Sequence, residues 1–253
     1  MSNFESSLSI LANEGVIAYL LKGVVFTLII SLIAVVIGTV LGSILALARN
    51  YCNTKKTLLF KWLSIGYIEV FRNTPLLLWI FICTVFFPVP EALSKPMFGL
   101  SSVEVTLLIR ASAALILFTS SVIAEIVRGG LNSVAAGQFE AGHSQGFSTI
   151  QVMLFIVLPQ AFRNIVPTLL SQIITTIKDS SYLANVAIIE LLARTRKLMN
   201  VAYQYNGTGN INVSDVFVLF GLAALIYFII NFSISTVVRY MHKHPRIPKE
   251  AKA

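Results

Sequence analysis

Long uncharged apolar runs alternate with short polar segments along the chain. Residues 23–48 carry no charge and, as a helix, would reach about 39 Å. The hydrocarbon core of a bilayer is about 30 Å thick, so this run crosses it with tilt. Residues 73–90 form a second uncharged run, and a third segment covers 105–127 with Arg110 and Glu125 near its two ends. A fourth begins after Pro159 and runs toward Ile177. There Lys178 and Asp179 interrupt it before apolar residues resume over 182–192. Residues 216–238 make a fifth uncharged run. The pattern predicts an all-α membrane protein with about five transmembrane helices.

Lys and Arg near the span ends set the orientation. With the N-terminus outside, Arg49, Lys55, Lys56, Lys61, Arg128, Arg163, Arg239, Lys243, Arg246, Lys249 and Lys252 fall inside, and Lys95, Arg194, Arg196 and Lys197 outside. The 194–197 cluster runs against the rule. This topology gives an extracytoplasmic segment at 1–16, a transmembrane domain over 17–240 with a cytoplasmic loop at about 128–160, and a basic cytoplasmic tail at 241–253. Residues 1–21 hold no Lys or Arg, so the positive start of a cleavable signal is missing.

Composition agrees: 56% of residues are hydrophobic and 12% charged, against about 25% charged in soluble domains. The net charge of +8 sits in loops and tail rather than in one stripe with aromatic interleaving, which argues against nucleic acid. Cys52, Cys83 and the dispersed histidines show no metal-ligand spacing, so no metal site is expected. No Gly-x4-Gly-Lys-Ser/Thr string is present, so no phosphate-cradling loop is expected. The string His-Glu-x-x-His is also missing.

The loop at 128–160 is oddly polar. Phe139, Gly142, His143, Gly146, Phe147 and Ile150 recur every three or four residues, as on one face of a short helix. Gly142 and Gly146 each weaken such a helix by about 1 kcal/mol and offer a flat patch for a close partner. A helix lying on lipid headgroups should be rich in Lys and Arg. Residues 129–162 contain neither, which favours a protein partner.

Glu140, Ala141, Gly142, Gly146, Ile156, Leu158 and Pro159 resemble the coupling motif of ATP-binding-cassette importer permeases. That motif reads Glu-Ala-Ala, three residues, Gly, nine residues, Ile, one residue, Leu-Pro; Gly142 departs from the usual Ala. Further stretches (YIEVFRNTPLL at 67–77, AEIVRGGL at 124–131, LPQAFRNIVPTL at 158–169 and IKDSS at 177–181) are similar to the polar-amino-acid uptake branch, the histidine-, glutamate- and glutamine-type permeases. The resemblance implies the transmembrane domain of a type I importer in a bacterial inner membrane. It implies a pore shared with a second permease subunit, the same or a related chain. A cytoplasmic ATPase pair would bind ATP and Mg, and an extracytoplasmic binding protein would deliver the amino acid. This chain would bind no cofactor and hydrolyse nothing. Leu158-Pro159 would mark the turn back into the membrane.

Several polar residues are candidates for the translocation path. Glu69 and Arg72 are spaced to pair on one helix, and with Thr74 and Pro75 they are either a polar lining or hinge, or an interfacial ion pair. Glu125 and Arg128 repeat that spacing, as a surface capping pair or a brace for the coupling loop. Arg110 either meets a substrate carboxylate or snorkels to the outer surface. Lys178, Asp179, Ser180 and Ser181, with Gln172, Thr175 and Thr176 below, line the path or form an ordinary helix end. An ATP-independent secondary transporter is the competing function, and it would be expected to show internal repeats; none is visible. A membrane enzyme would want a convergent acid, base or metal constellation.

Overall fold

The computed structural model describes residues 3–97, 99–186 and 188–243. The basic tail from residue 244 onward lies outside the described residues. Ten α-helices are named in chain order: α1 (Asn3–Leu8), α2 (Glu14–Tyr51), α3 (Leu58–Arg72), α4 (Leu76–Phe86), α5 (Ser102–Asn132), α6 (Ala136–Ser144), α7 (Thr149–Gln151), α8 (Leu158–Asp179), α9 (Leu191–Asn200) and α10 (Val213–Lys243). A π-helical stretch, Val152–Val157, joins α7 to α8, and a 3-10 stretch, Ser180–Val186, follows α8. Among the described residues four segments are long and apolar enough to cross a membrane, or five if α3 and α4 form one bent span.

The second span differs from the one expected at 73–90. α4 has 11 residues, about 16 Å, and cannot cross alone. It joins α3 at a bend of 110°. Pro75 at the N-cap of α4 has no N–H to continue α3. Thr74 ties the corner: its hydroxyl donates to the Val70 carbonyl at 2.6 Å and accepts from Trp79 Nε1 at 2.6 Å. The fourth span also differs. It starts at Thr149, before Pro159. It runs on through the 3-10 stretch to Val186, and α9 begins separately at Leu191.

α2 and α5 form the central pair. Gly38 and Gly42 face α5, where a Cβ on Gly42 would lie 2.7 Å from the Ser120 carbonyl oxygen and 2.9 Å from the Ala124 nitrogen. Lipid gives apolar helices no drive to associate, so close contact through small residues does that work. One apolar core joins Ile30 and Ala34 to Ile80, Ala111 and Leu115. A second joins Ala46 to Ile123, Val127, Val152 and Val157. On the outer side of α2, Leu32, Val36, Val40 and Ile44 are exposed at four-residue spacing, as suits a lipid-facing stripe.

Arg194 accounts for part of the misplaced basic cluster. It is buried at 7% exposure, with its guanidinium 4.4 Å from the Tyr19 ring centre and Nη1 donating to the Tyr19 carbonyl at 3.2 Å. It is an internal tie between α9 and α2, not a loop charge. Arg196 Nη1 donates to Asn185 Oδ1 at 3.3 Å.

Candidate functional site

The polar stretch after α5 folds as a hairpin. α6 ends in a Schellman turn, in which the Phe147 N–H donates to the Gly142 carbonyl at 3.1 Å and the Gly146 N–H to the His143 carbonyl at 2.9 Å. Gly146 has φ +82°, a left-handed conformation that costs other L-residues about 1–2 kcal/mol. A Cβ there would meet nothing within 4 Å. Glycine is needed for the backbone, not for space. The single helix face expected from Phe139 to Ile150 is therefore corrected: the helix stops at Ser144. Ser148 starts the next helix through a capping box with Gln151, donating its N–H to Gln151 Oε1 at 2.8 Å.

Gly142 does make a close approach, but to its own chain. A Cβ there would lie 2.7 Å from Val152 Cγ2 and 3.0 Å from Ile156 Cδ1. Gly142 and Ile156 thus clamp the two arms of the hairpin. What remains open at the tip is Glu140, Ala141, His143 and Gly146, with Phe147 and Ile150 exposed beside them. Leu158 and Pro159 are not at the turn, which lies at Gln145–Ser148. They follow the π stretch inside one helical run, Thr149–Val186. There the Leu158 N–H reaches the Met153 carbonyl, five residues back. This wide turn directly precedes a proline whose ring would crowd an α-helical carbonyl.

The hairpin is braced on three long helices. Gln160 Nε2 donates to Gln138 Oε1 at 3.2 Å, Asn164 Nδ2 to Ser133 Oγ at 2.8 Å, and Asn50 Nδ2 to Asn132 Oδ1 at 2.9 Å. A Cβ on Gly130 would overlap the Ile165 side chain, so α5 and α8 touch at the hairpin base. Next to that base Glu125 gathers three arginines: Arg128 Nη2 and Arg49 Nη1 at 2.8 Å each, and Arg72 Nη1 at 3.5 Å. Arg49 Nη1 also lies 3.2 Å from Glu69. Glu69 and Arg72, spaced to pair with each other, instead pair with other helices. Glu125 and Arg128 pair as expected, but inside a cluster that joins α2, α3 and α5.

Residues 38–247 match the family described as "Binding-protein-dependent transport system inner membrane component". The chain belongs to this family. It is 38% identical over 172 residues to the "Probable glutamine ABC transporter permease protein GlnP" of Bacillus subtilis, covering 68% of this chain and 70% of that one. It is 34% identical over 228 residues to the "Glutamate/aspartate import permease protein GltK" of Escherichia coli O157:H7, covering 89% and 92%. A solved amino acid ABC transporter, crystallised with histidines, superposes with a TM-score of 0.71 at 26% identity, over 90% of this chain and 94% of that one. The MetNI methionine transporter shares the fold, with a TM-score of 0.64 at 21% identity over 90% and 98%.

In this permease Arg110 has a structural occupation that sequence reasoning did not consider. Its Nε donates to the Phe87 carbonyl at 3.0 Å and its Nη1 to the Thr84 carbonyl at 3.3 Å. Carbonyls at a helix C-terminus lack intrahelical partners, and a cation suits that end of the dipole. The other candidates divide between two faces of α8. Gln172 and Thr176 are buried and bond each other at 3.5 Å; Ser180 is buried and donates to the Ile177 carbonyl at 2.8 Å. Asp179 and Ser181 are half-buried. The open face carries Asn164, Thr168, Ser171 and Lys178, with Thr175 half-buried among them. Asn164, Thr168 and Ser171 were missed, although their polar three-and-four spacing was readable. Glu190 was missed too. Fully buried, it caps α9 by accepting from the Leu192 and Ala193 N–H groups at 2.8 and 2.6 Å, and from the Tyr227 hydroxyl at 3.0 Å. Burial pushes its carboxyl above the usual range, and the two N–H donors pull it partly back. Among the described residues no three His, Cys, Asp or Glu side chains gather to hold a metal ion.

Proposed function

We propose that this permease forms half of the pore of an ATP-driven importer that carries a polar amino acid across the bacterial inner membrane. The hairpin at 140–159 is the seat of a separate ATPase. The N-terminus lies outside, and the hairpin and C-terminal tail lie in the cytoplasm, as the Lys and Arg distribution favours. The observation that carries this reading is the exposed tip of Glu140, Phe147 and Ile150, locked by Gly146 and braced on α2, α5 and α8. A tip that only covered the bundle would have no use for such rigid attachment. ATP and Mg bind in the partner ATPase pair. Closure of that pair moves two hairpins, and the braces pass the motion to the helix ends. The pore is then a two-state element biased from both sides.

The open polar face of α8 lines the path. Polar side chains at membrane depth need water, a cavity or a partner, and a second permease subunit facing this one supplies a shared water-filled passage. Lys178 and Asp179 stand at its outer end, where an extracytoplasmic binding protein releases the amino acid. The relatives' names specify glutamine and glutamate or aspartate, which supports an acidic amino acid or glutamine as cargo. ATP-independent secondary transport is less supported, because it gives the braced hairpin no partner.

The test uses vesicles holding the permease, its ATPase and its binding protein. Uptake should require ATP, and Lys178→Ala and Asp179→Ala should each reduce it. Normal uptake in both variants would remove the path assignment. Uptake without ATP would remove the importer reading.

A further inference from the structure

The first half of α3 makes little contact with the rest of the chain. Leu58, Leu59, Phe60, Trp62 and Leu63 are all exposed, while Ser64, Ile68 and Phe71 are buried. At 100° per residue the exposed apolar set covers an arc of about 200°. A helix packed on one partner buries a stripe of roughly 100°. So wide an apolar surface is suited to a fluid surrounding rather than to a single protein face. Yet α3 meets α4 at 110°, so the two helices cannot both follow the bilayer normal.

The charge pattern says which part of the bilayer. Residues 53–68 contain three lysines and no Asp or Glu. Lys55 and Lys56 are exposed. Lys61 Nζ donates to Asn53 Oδ1 at 2.6 Å, which turns it back toward the polar segment carrying the other two. Trp62 is of the type that settles at headgroup level. An apolar arc flanked by cations is complementary to anionic lipid: acyl chains for the arc, phosphates for the lysines.

We propose that residues 53–63 bind anionic phospholipid in the leaflet at the hairpin end of the permease. Lys55, Lys56 and Lys61 hold the headgroup, and Leu59, Phe60, Trp62 and Leu63 lie among the acyl chains. This rests on the membrane placement proposed above but not on any transport step. The far end of α3 places Glu69 and Arg72 in the ionic cluster with Arg49 and Glu125. Lipid seating therefore sets the position of a cluster that borders the hairpin.

The chain has two tryptophans, so Trp79→Phe leaves Trp62 as the sole fluorophore. The full permease is placed in mixed vesicles containing either brominated phosphatidylglycerol or brominated phosphatidylcholine, and quenching is compared. One lysine near an anionic surface is worth about 1 kcal/mol, about fivefold. A preference for phosphatidylglycerol of up to about 100-fold is expected if the three lysines act additively. Replacing all three by Gln should remove the preference and leave quenching by phosphatidylcholine intact, which shows that the helix still sits in lipid. Replacing all three by Arg should keep the preference. Equal quenching by both lipids in the parent, or an unchanged preference in the Gln variant, overturns the proposal. So does shielding of Trp62 from both lipids: in the permease alone this points to a second copy, and only after adding the ATPase it points to that subunit. Because symmetric vesicles report binding without transport, failure here leaves the importer reading standing.

Discussion

Gly146 offers the sharpest test of the coupling assignment, because space and backbone separate cleanly there. Its φ is +82° and a Cβ would meet nothing within 4 Å. A side chain at this position therefore meets conformational cost alone, about 1–2 kcal/mol for a residue such as Leu and less for Asn, which tolerates the left-handed region. That energy shifts the closed-to-open ratio of the turn by about 5- to 30-fold. Amide exchange over 142–152 in the assembled transporter reads the ratio directly, and the ratio of uptake to ATP hydrolysis reads its consequence. Gly146→Leu should raise exchange within this range and uncouple hydrolysis from uptake or block ATPase assembly, with the membrane helices unchanged. Gly146→Asn should retain most of both. If Asn is as damaging as Leu, a side chain is obstructing a partner and the turn argument fails. If Leu assembles and transports normally, the hairpin is not the docking element.

Other consequences are open to measurement. Gly42→Ala places a methyl against the α5 backbone and should cost about 1–3 kcal/mol, seen as earlier thermal exposure of buried Cys83 to a thiol-reactive dye. Gly66→Ala, open within 4 Å, should instead stabilise α3 by up to about 1 kcal/mol; equal effects would refute the close α2–α5 approach. Glu125→Gln leaves two half-buried arginines, Arg49 and Arg128, and the exposed Arg72 without their shared carboxylate. Its cost should fall between surface and buried pairs, about 2 kcal/mol, and should exceed that of Arg49→Gln in denaturation experiments. Arg110→Met should lower stability by about 1.5–3 kcal/mol through loss of charge-assisted bonds to α4 while leaving the KM for the amino acid unchanged; a tenfold rise in KM would return Arg110 to the path.

Local signals in the sequence carried far, and long-range ones did not. Uncharged length alone located α2 and α10, and the polar loop between spans was placed by topology, but its three-and-four spacing was read as one helix face where the chain folds as a hairpin. Pro75 was readable as part of a hinge, yet the length of the run hid that α4 is a half-helix. Such a bend depends on Thr74 and Trp79 meeting across it, which no period reveals. Gly146 was misplaced on a helix face because Gly at i and i+4 fits both a packing stripe and a helix end; only φ tells them apart. Gln172 and Thr176 share the three-and-four spacing of the open face, but lie on the side of α8 turned inward. Deciding between the two faces needs the neighbouring helices. Arg194 and Arg110 were illegible for the same reason. Tyr19 lies 175 residues from Arg194, and the partners of Arg110 are main-chain carbonyls, which have no signature in residue identity.

The π-helical stretch at Val152–Val157 fixes a phase. A π turn amounts to one extra residue in an α-helix, and each residue rotates the downstream helix by about 100°. Upstream of it sits the hairpin tip; downstream sits the polar face of α8. Their angular relation is therefore stored in the count of residues between Gly146 and Pro159, independently of which residues those are. Deleting one residue there would leave both surfaces chemically whole and aim them apart. A hairpin grafted from another permease should work only when that count is kept, which makes the fixed spacing of the motif a statement about rotation rather than recognition.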